Sequence, residues 1–309
     1  MRTLRAPPIR APGGSWMHYD DEHLFLPYDT KAAPMATPDG PEAPPEFDTS
    51  QPTIARVYDA LLGGKDNFAA DREGAATYLK YVPDAGRCAI DNRDALVKGV
   101  QYLVREAEID QFLDIGSGLP TQKNTHQAAQ ELNPGVKVAY VDNDPIVLAH
   151  GRALLATNQS TIVVTADLRE PQAILDNQEI KDHLDFSRPI ALMIVGIHMH
   201  FHDDEKPDEW VRTLMNALAP GSYLFITDFV DTGEPLQKAM EQAGLESLGN
   251  GWIRTPERIE QHFLGLPIIP PGVDFLARWF PEDPDADIPD VDELQPYQRI
   301  LMAGIAKKG

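Results

Sequence analysis

Short runs of apolar residues alternate along this chain with longer stretches in which apolar residues recur at helical spacing. The pattern predicts seven β-strands: Phe112–Ile115, Val136–Val141, Thr161–Ala166, Pro189–Val195, Tyr223–Thr227, Val273–Arg278 and Arg299–Ala306. It predicts helices between them at Gln122–Leu132, Pro145–Ala156, Pro171–Asn177, Glu205–Leu218, Pro235–Ala243 and Thr255–Phe263. This alternation is what a mostly parallel sheet with helices on both faces requires, so the predicted fold class is α/β.

Three further helices are predicted ahead of the first strand, at Ile54–Leu62, Gly74–Tyr81 and Asp91–Ala107. Residues 49–108 are therefore expected to form a helical lid, and residues 109–309 the sheet domain that carries the site. The Gly63-Gly64 turn between the first two helices is the expected flexible gate.

The first 48 residues are rich in Pro, Ala, Gly and acidic side chains and have almost no apolar periodicity. This composition predicts a disordered leader over residues 1–48. The alternative is an arm that packs on the body of the protein through its aromatic side chains, Trp16, Tyr19, Phe25 and Tyr28.

Composition narrows the class of partner. The chain has 309 residues, of which 42% are hydrophobic, and no apolar run is long enough to cross a bilayer. No secretory signal is recognised, and the single cysteine, Cys88, suits a reducing cytoplasm. The net charge of −21 argues against a nucleic acid held by its phosphates. A small-molecule or protein substrate is therefore favoured, and the predicted partner is a small-molecule acceptor, without membrane association; the sequence gives no sign of oligomeric state.

The first strand of the sheet leads into a glycine turn. Asp114 lies near the end of that strand, where its carboxylate can accept hydrogen bonds from an amine. Gly116-Ser117-Gly118 then lets the backbone approach a ligand closely, and the N-terminus of the next helix faces the same place. Strand, glycine turn and helix form the opening unit of a nucleotide-binding sheet.

Acidic residues also follow the second and third strands. Asp142 ends the second strand and can accept both hydroxyls of a ribose, which suits a dinucleotide or S-adenosylmethionine. Thr121 replaces the third glycine of a dinucleotide turn, and Pro120 removes a backbone donor, so S-adenosylmethionine is favoured. Asp167, after the third strand, can accept a hydrogen bond from an adenine amino group.

Three histidines follow the fourth strand at alternate positions, His198, His200 and His202, and Asp203 and Asp204 come next. One interpretation makes His200 a general base with a pKa near neutrality. A second makes two histidines and one of the carboxylates a metal site, which requires the segment to stay extended so that alternate residues share a face. A third is purely structural. The base and structural interpretations are favoured, and no metal is predicted.

Several motifs resemble one known family. They are Pro52–Asp59, Leu61–Phe68 with Asp71-Arg72, Gln111–Thr121 and Tyr140–Pro145. From about residue 49 to the C-terminus the chain is similar to the actinobacterial S-adenosylmethionine-dependent methyltransferases formerly described as a domain of unknown function. The Leu119-Pro120-Thr121 sequence departs from the commonest methyltransferase loop but agrees with this family.

The resemblance implies a class I, Rossmann-like methyltransferase with a seven-stranded sheet and S-adenosylmethionine as methyl donor. It implies that the methionine part lies near Asp114 and the glycine turn, the ribose on Asp142, and the adenine beside Asn143 and Asp167-Leu168. The implied donor-binding residues are Asp114, Gly116, Ser117, Gly118, Thr121, Asp142, Asn143, Asp167 and Leu168. His200 is the histidine that matches the family.

The predicted function is methyl transfer to an unidentified small molecule. The alternative is a regulatory protein that binds S-adenosylmethionine or S-adenosylhomocysteine without turnover. A nicotinamide-dependent oxidoreductase is a weaker rival, because Thr121 and the expected antiparallel pairing of the last two strands both disfavour it.

Overall fold

The strands of this protein lie side by side in one sheet. The computed structural model describes residues 48–120, 123–155, 158–280 and 287–309. The strands are β1 (Gln111–Ile115), β2 (Lys137–Asp142), β3 (Thr161–Thr165), β4 (Ala191–Val195), β5 (Tyr223–Phe229), β6 (Asp274–Phe275) and β7 (Leu301–Lys307). Their order is β3-β2-β1-β4-β5-β7-β6. β7 runs antiparallel to β5 and β6, whereas the other neighbours are parallel, which confirms the predicted sheet and its terminal hairpin.

Burial explains why these segments form strands. β1 and β5 are buried along their whole length, as expected for strands of a sheet that is covered on both faces. In the parallel register Asp114 lies opposite Tyr140, and Asp142 lies opposite Thr165. The carboxyl ends of β1, β2 and β3 therefore meet at one edge of the sheet.

Ten α-helices occur in the part of the chain that the structure describes. They are α1 (Ile54–Leu61), α2 (Ala69–Tyr81), α3 (Ala85–Arg105), α4 (Thr125–Gln130), α5 (Pro145–Leu155), α6 (Pro171–Asp176), α7 (Gln178–His183), α8 (Pro207–Ala217), α9 (Pro235–Leu248) and α10 (Pro256–Gln261). Side chains of α1–α4 and α9 form one apolar layer with the sheet, and those of α6, α7, α8 and α10 form the other. None of the described helices combines the length and apolar character needed to span a bilayer.

The starts of three helices need correction, and α9 ends at Leu248 rather than at the predicted Ala243. α2 begins at Ala69 rather than Gly74 because the carboxylate of Asp71 accepts a hydrogen bond from the backbone N–H of Phe68, 2.8 Å away, and so caps the first turn. α4 is shorter than the predicted 122–132, and it begins after Asn124, whose backbone N–H donates to the side chain of Gln127. α3 begins six residues before the predicted Asp91, at Ala85.

Two other predictions miss local structure. β6 spans only two residues instead of Val273–Arg278, because the chain turns after Phe275 and brings Trp279 against Phe225, with ring centroids 5.2 Å apart. α7 was not predicted; Asn177 caps it by accepting a hydrogen bond from the N–H of Ile180. The leader prediction concerns residues that, apart from Asp48, lie outside the described part of the chain.

Candidate functional site

The glycine turn after β1 has open space above it. Gly116 has φ +68° and Gly118 has φ +66°, values that L side chains rarely adopt. A Cβ on Gly116 would lie 2.1 Å from Cδ1 of Ile197, whereas a Cβ on Gly118 would meet none of the described residues within 4 Å. The backbone N–H groups of Gly116 and Ser117 donate to the carbonyl of Val141, at 2.7 and 3.4 Å. The turn is therefore fixed against β2 and leaves room for a ligand at Gly118.

Asp114 is a buried carboxyl beside this turn. It is 4% exposed, and the hydroxyl of Thr125, at the start of α4, donates to its Oδ2 over 2.6 Å. Burial raises the pKa of Asp114 to about 6, although the Thr125 hydrogen bond and the charge of Arg93 act in the opposite direction. A cationic ligand group would stabilise the ionised form in this position.

Asp142 closes the other side of the turn. Its Oδ2 accepts a hydrogen bond from the N–H of Gly118 at 2.8 Å, and its Oδ1 accepts one from the N–H of Asp144 at 2.9 Å. Burial raises the pKa of Asp142 despite these bonds. A carboxylate has about four lone-pair sites, so each oxygen can still accept a further hydroxyl.

The third acidic position has a different environment. The guanidinium of Arg169 donates to both oxygens of Asp167, at 3.0 and 2.6 Å. These hydrogen bonds lower the pKa of that carboxyl to about 2. The side-chain amide of Asn143 donates to the same carboxylate at 3.0 Å. Leu168 is buried in the apolar layer next to α6. Thr121 lies outside the described residues.

A small apolar cluster, called the Leu119 cluster below, joins the end of the glycine turn to the start of α5. Leu119, Ile146 and Val147 are buried together, separate from the two main layers, and Ala55 of α1 packs on them.

The hydroxyl of Thr53 donates to Oδ2 of Asp144 at 2.8 Å, which ties the start of α1 to the end of β2. Thr53 makes no side-chain capping bond in α1, so its hydroxyl serves this link instead.

α3 supplies polar groups that the sequence did not single out. Oδ1 of Asn92 accepts a hydrogen bond from the hydroxyl of Thr227 in β5, at 2.7 Å. A Cβ on Gly196, just after β4, would lie 3.1 Å from Nδ2 of Asn92. The next residue, Arg93, has its guanidinium carbon 6.0 Å from the centre of the Tyr58 ring. The sequence signal that could have identified Asn92 and Arg93 is that they are adjacent polar residues on a helix whose buried face is otherwise apolar.

The histidine segment is not extended. Residues His198–His200 form a 3₁₀ turn, so the alternate side chains do not share a face and the arrangement on which the metal hypothesis depended is absent. His200 is half-buried, and its Nδ1 lies 2.6 Å from Oδ1 of Asn250. Burial lowers the pKa of His200, although the bond to Asn250 acts in the opposite direction. The ring is therefore neutral at pH 7, with its proton on Nδ1 and the lone pair of Nε2 available.

His198 points to the opposite side of the turn. It is fully buried and stacks on His262, with ring centroids 4.1 Å apart. His198, Asp208 and His262 are the described group whose ligand atoms lie close enough to hold a metal ion, within 4.8 Å of one another. However, Nη1 of Arg258 lies 2.8 Å from Asp208 and 3.4 Å from Nδ1 of His262. A cation already neutralises this carboxylate, which disfavours a divalent ion.

The pKa of His262 depends on its neighbours in this buried group. Burial lowers its pKa, but the hydrogen bond to Asp208 and the charge of Asp228, which lies 3.4 Å from Nε2, outweigh burial, and the net shift is upward. Asp203, a ligand in the metal hypothesis, instead pairs with Arg254 and Arg258, both at 2.9 Å. His202 lies on the surface near Asp204. The structure thus separates the three histidines into three environments.

Comparisons with known proteins bear on the family and the fold. Residues 41–309 match the model of the family described as S-adenosyl methyltransferase. A crystal structure of a proposed methyltransferase from Thermobifida fusca YX has 51% sequence identity and a TM-score of 0.81, covering 86% of this chain and 98% of that one. A duf574 family protein from Streptomyces avermitilis MA-4680 has 33% identity and a TM-score of 0.77, covering 85% and 99%. No protein of curated function matches the chain.

Proposed function

Because this chain belongs to the S-adenosyl methyltransferase family and has its fold, we propose that it methylates a small molecule and that His200 removes the proton of the acceptor. The observation that carries the second part is the orientation of His200. His200 follows β4, its Nδ1 bonds to Asn250 in the loop after α9, and its Nε2 is left as a neutral acceptor.

The donor is S-adenosylmethionine, and the described residues suit its parts. The ammonium group would lie on Asp114, where a positive charge offsets the burial of the carboxylate. The two ribose hydroxyls would bond to Asp142, whose oxygens retain free lone pairs. The adenine would lie against the Leu119 cluster, with Asn143 and the Asp167-Leu168 segment at its edge.

The glycine turn and Thr121 complete the proposed donor site. Open space above Gly118 admits the ligand, and Gly116 and Ser117 hold the turn against β2. We assign α1–α3 as the lid over this site, because Thr53 bonds to Asp144 and Asn92 bonds to Thr227 at the strand ends.

The proposed chemistry needs little from the protein beyond orientation and proton transfer. S-adenosylmethionine supplies a methyl group on a sulfonium, and the acceptor lone pair bonds to that carbon as the C–S bond breaks. His200 would take the acceptor proton on Nε2 and become an imidazolium, which the Nδ1–H bond to Asn250 stabilises.

The acceptor is proposed to be small because a chain with net charge −21 repels nucleic acids. A cytoplasmic location remains a prediction from the single cysteine.

The test uses labelled S-adenosylmethionine and a fractionated cell extract as the source of acceptor. His200→Ala should lower methyl transfer about 10²-fold or more, the usual contribution of a general base, while the affinity for S-adenosylhomocysteine changes little. His202→Ala is the matched control, because this side chain is 49% exposed and is expected to leave both quantities unchanged.

The pH profile separates base catalysis from a structural effect. Wild-type turnover should fall as the pH decreases through the lowered pKa of His200, and the His200→Ala variant should lack this limb. Unchanged turnover in that variant would refute the base. Binding of S-adenosylhomocysteine without transfer to any fraction would favour a binding protein instead.

A further inference from the structure

An arginine without an anionic partner lies beside the proposed donor site. Nε of Arg93 is buried and has no hydrogen-bond partner in the part of the chain that the structure describes. The described residues also include no salt bridge to this guanidinium, although Arg56, Arg254 and Arg258 all have one. Arg93 is half-buried as a whole, but a donor that is removed from water without an acceptor is costly in free energy, so its Nε suits an anionic ligand.

Neighbouring contacts restrain Arg93 and the part of α3 that carries it. Its guanidinium carbon lies 6.0 Å from the centre of the Tyr58 ring, and the Tyr58 hydroxyl donates to the carbonyl of Ala89 at 2.8 Å. The preceding residue, Asn92, is fixed to Thr227 in β5. The charge of Arg93 also reaches Asp114, because it lowers the pKa of that carboxyl. A cation and a carboxylate therefore flank the same end of the site without forming a salt bridge.

The pair matches a zwitterion. The methionine end of S-adenosylmethionine carries an ammonium and a carboxylate on one carbon, and a guanidinium fork binds carboxylates with two parallel hydrogen bonds. We propose that Arg93 binds the carboxylate of the donor while Asp114 binds its ammonium group, so that the site requires an intact amino-acid end. This inference rests on the proposed donor site and extends it to a residue of α3.

Three ligands test the inference by calorimetry. S-adenosylhomocysteine has both charged groups, 5′-(3-aminopropylthio)adenosine lacks the carboxylate, and 5′-methylthioadenosine lacks both. The wild type should bind S-adenosylhomocysteine at least tenfold more tightly than the aminopropyl analogue. Arg93→Gln should abolish this preference, weakening S-adenosylhomocysteine at least tenfold and changing the other two ligands less than twofold. Arg93→Lys should lie between, since it keeps the charge and loses the fork.

The control is Arg87→Gln, on the same helix, where the side chain is 66% exposed. It should bind all three ligands as the wild type does. Two results would overturn the role of Arg93 but leave the donor site standing. One is an equal loss of affinity for all three ligands in Arg93→Gln. The other is equal wild-type affinity for S-adenosylhomocysteine and the aminopropyl analogue. The second comparison needs no variant, so it holds even if Arg93→Gln does not fold. A wild type that binds none of the three ligands would overturn the donor site itself.

Discussion

Asp114→Asn is expected to make the protein more stable and a poorer binder at the same time. The variant is nearly isosteric, and its amide oxygen can still accept the hydrogen bond from Thr125. It removes a negative charge that the folded protein buries. The same charge is the proposed partner of the donor ammonium, so one substitution separates the stability cost of the site from its function.

The magnitude follows from the pKa of Asp114, which burial raises from 3.8 to about 6 in the folded protein. A shift of roughly two units corresponds to about 3 kcal/mol, at 1.36 kcal/mol per unit. Because the folded-state pKa lies above the unfolded value, the contribution of Asp114 to stability is present below the unfolded pKa. It is lost as the pH rises through about 6. At pH 8 the variant should therefore gain about 3 kcal/mol, less about 1 kcal/mol for an unpaired amide N–H.

Urea unfolding at pH 8 and at pH 4 measures this difference. The midpoint for Asp114→Asn should exceed the wild-type midpoint at pH 8 with an unchanged m-value, and the advantage should shrink at pH 4. Calorimetry at pH 8 should show S-adenosylhomocysteine binding weakened by about 1.5–3 kcal/mol, the value of a hydrogen bond to a charged group. Asp204→Asn is the control, because that side chain is 94% exposed.

Two outcomes would refute the reasoning in different places. A variant that is less stable than the wild type by the same amount at both pH values would show that Asp114 acts as a structural acceptor and that its burial is not costly. A stabilised variant with unchanged affinity for S-adenosylhomocysteine would show that the ammonium does not lie on Asp114.

Two further substitutions test the site and the fold. Asp142→Ala should weaken S-adenosylhomocysteine binding by about 1–3 kcal/mol in calorimetry, and a folded variant with wild-type affinity would remove Asp142 from the ribose site. Gly99→Ala should lower the free energy of unfolding by about 1–3 kcal/mol, because the new Cβ would lie 2.4 Å from the Phe225 ring. Alanine is more favourable than glycine in a helix by about 1 kcal/mol. A Gly99→Ala variant that is stabilised in urea unfolding would therefore show that Phe225 in β5 moves to accommodate the new Cβ.

The strand-and-turn part of the site was predictable because it is local in sequence. A strand, its terminal carboxylate and the glycine turn occupy one short segment, so the pattern around Asp114 and Gly116 predicts where these groups lie. Parallel pairing then brings Asp142 to the same edge, where it bonds to Gly118. Their ligand roles stay predictions, since these contacts are all within the protein.

The remaining site residues depend on tertiary contacts that no local pattern encodes. Asn250 follows α9 and meets His200 across 50 positions of sequence. Arg93 belongs to a helix that precedes the sheet, and only the packing of α3 brings it near β1. The backbone at His198–His200 was also unpredictable, because an alternating polar pattern fits an extended strand as well as a 3₁₀ turn.

The buried ion pairs explain how the turn can present His200 with a defined geometry. Arg254 is 5% exposed, and its guanidinium donates to the carbonyls of His198 and Phe201, at 3.2 and 2.5 Å, so it holds the turn on both sides of His200. Arg254 is itself fixed by Asp203 at 2.9 Å. A 3₁₀ turn rotates about 120° per residue, so the same backbone directs His198 into this cluster and His200 away from it. The buried charges around Arg254 therefore restrain the turn that carries the proposed base, which is the support that a preorganised site requires.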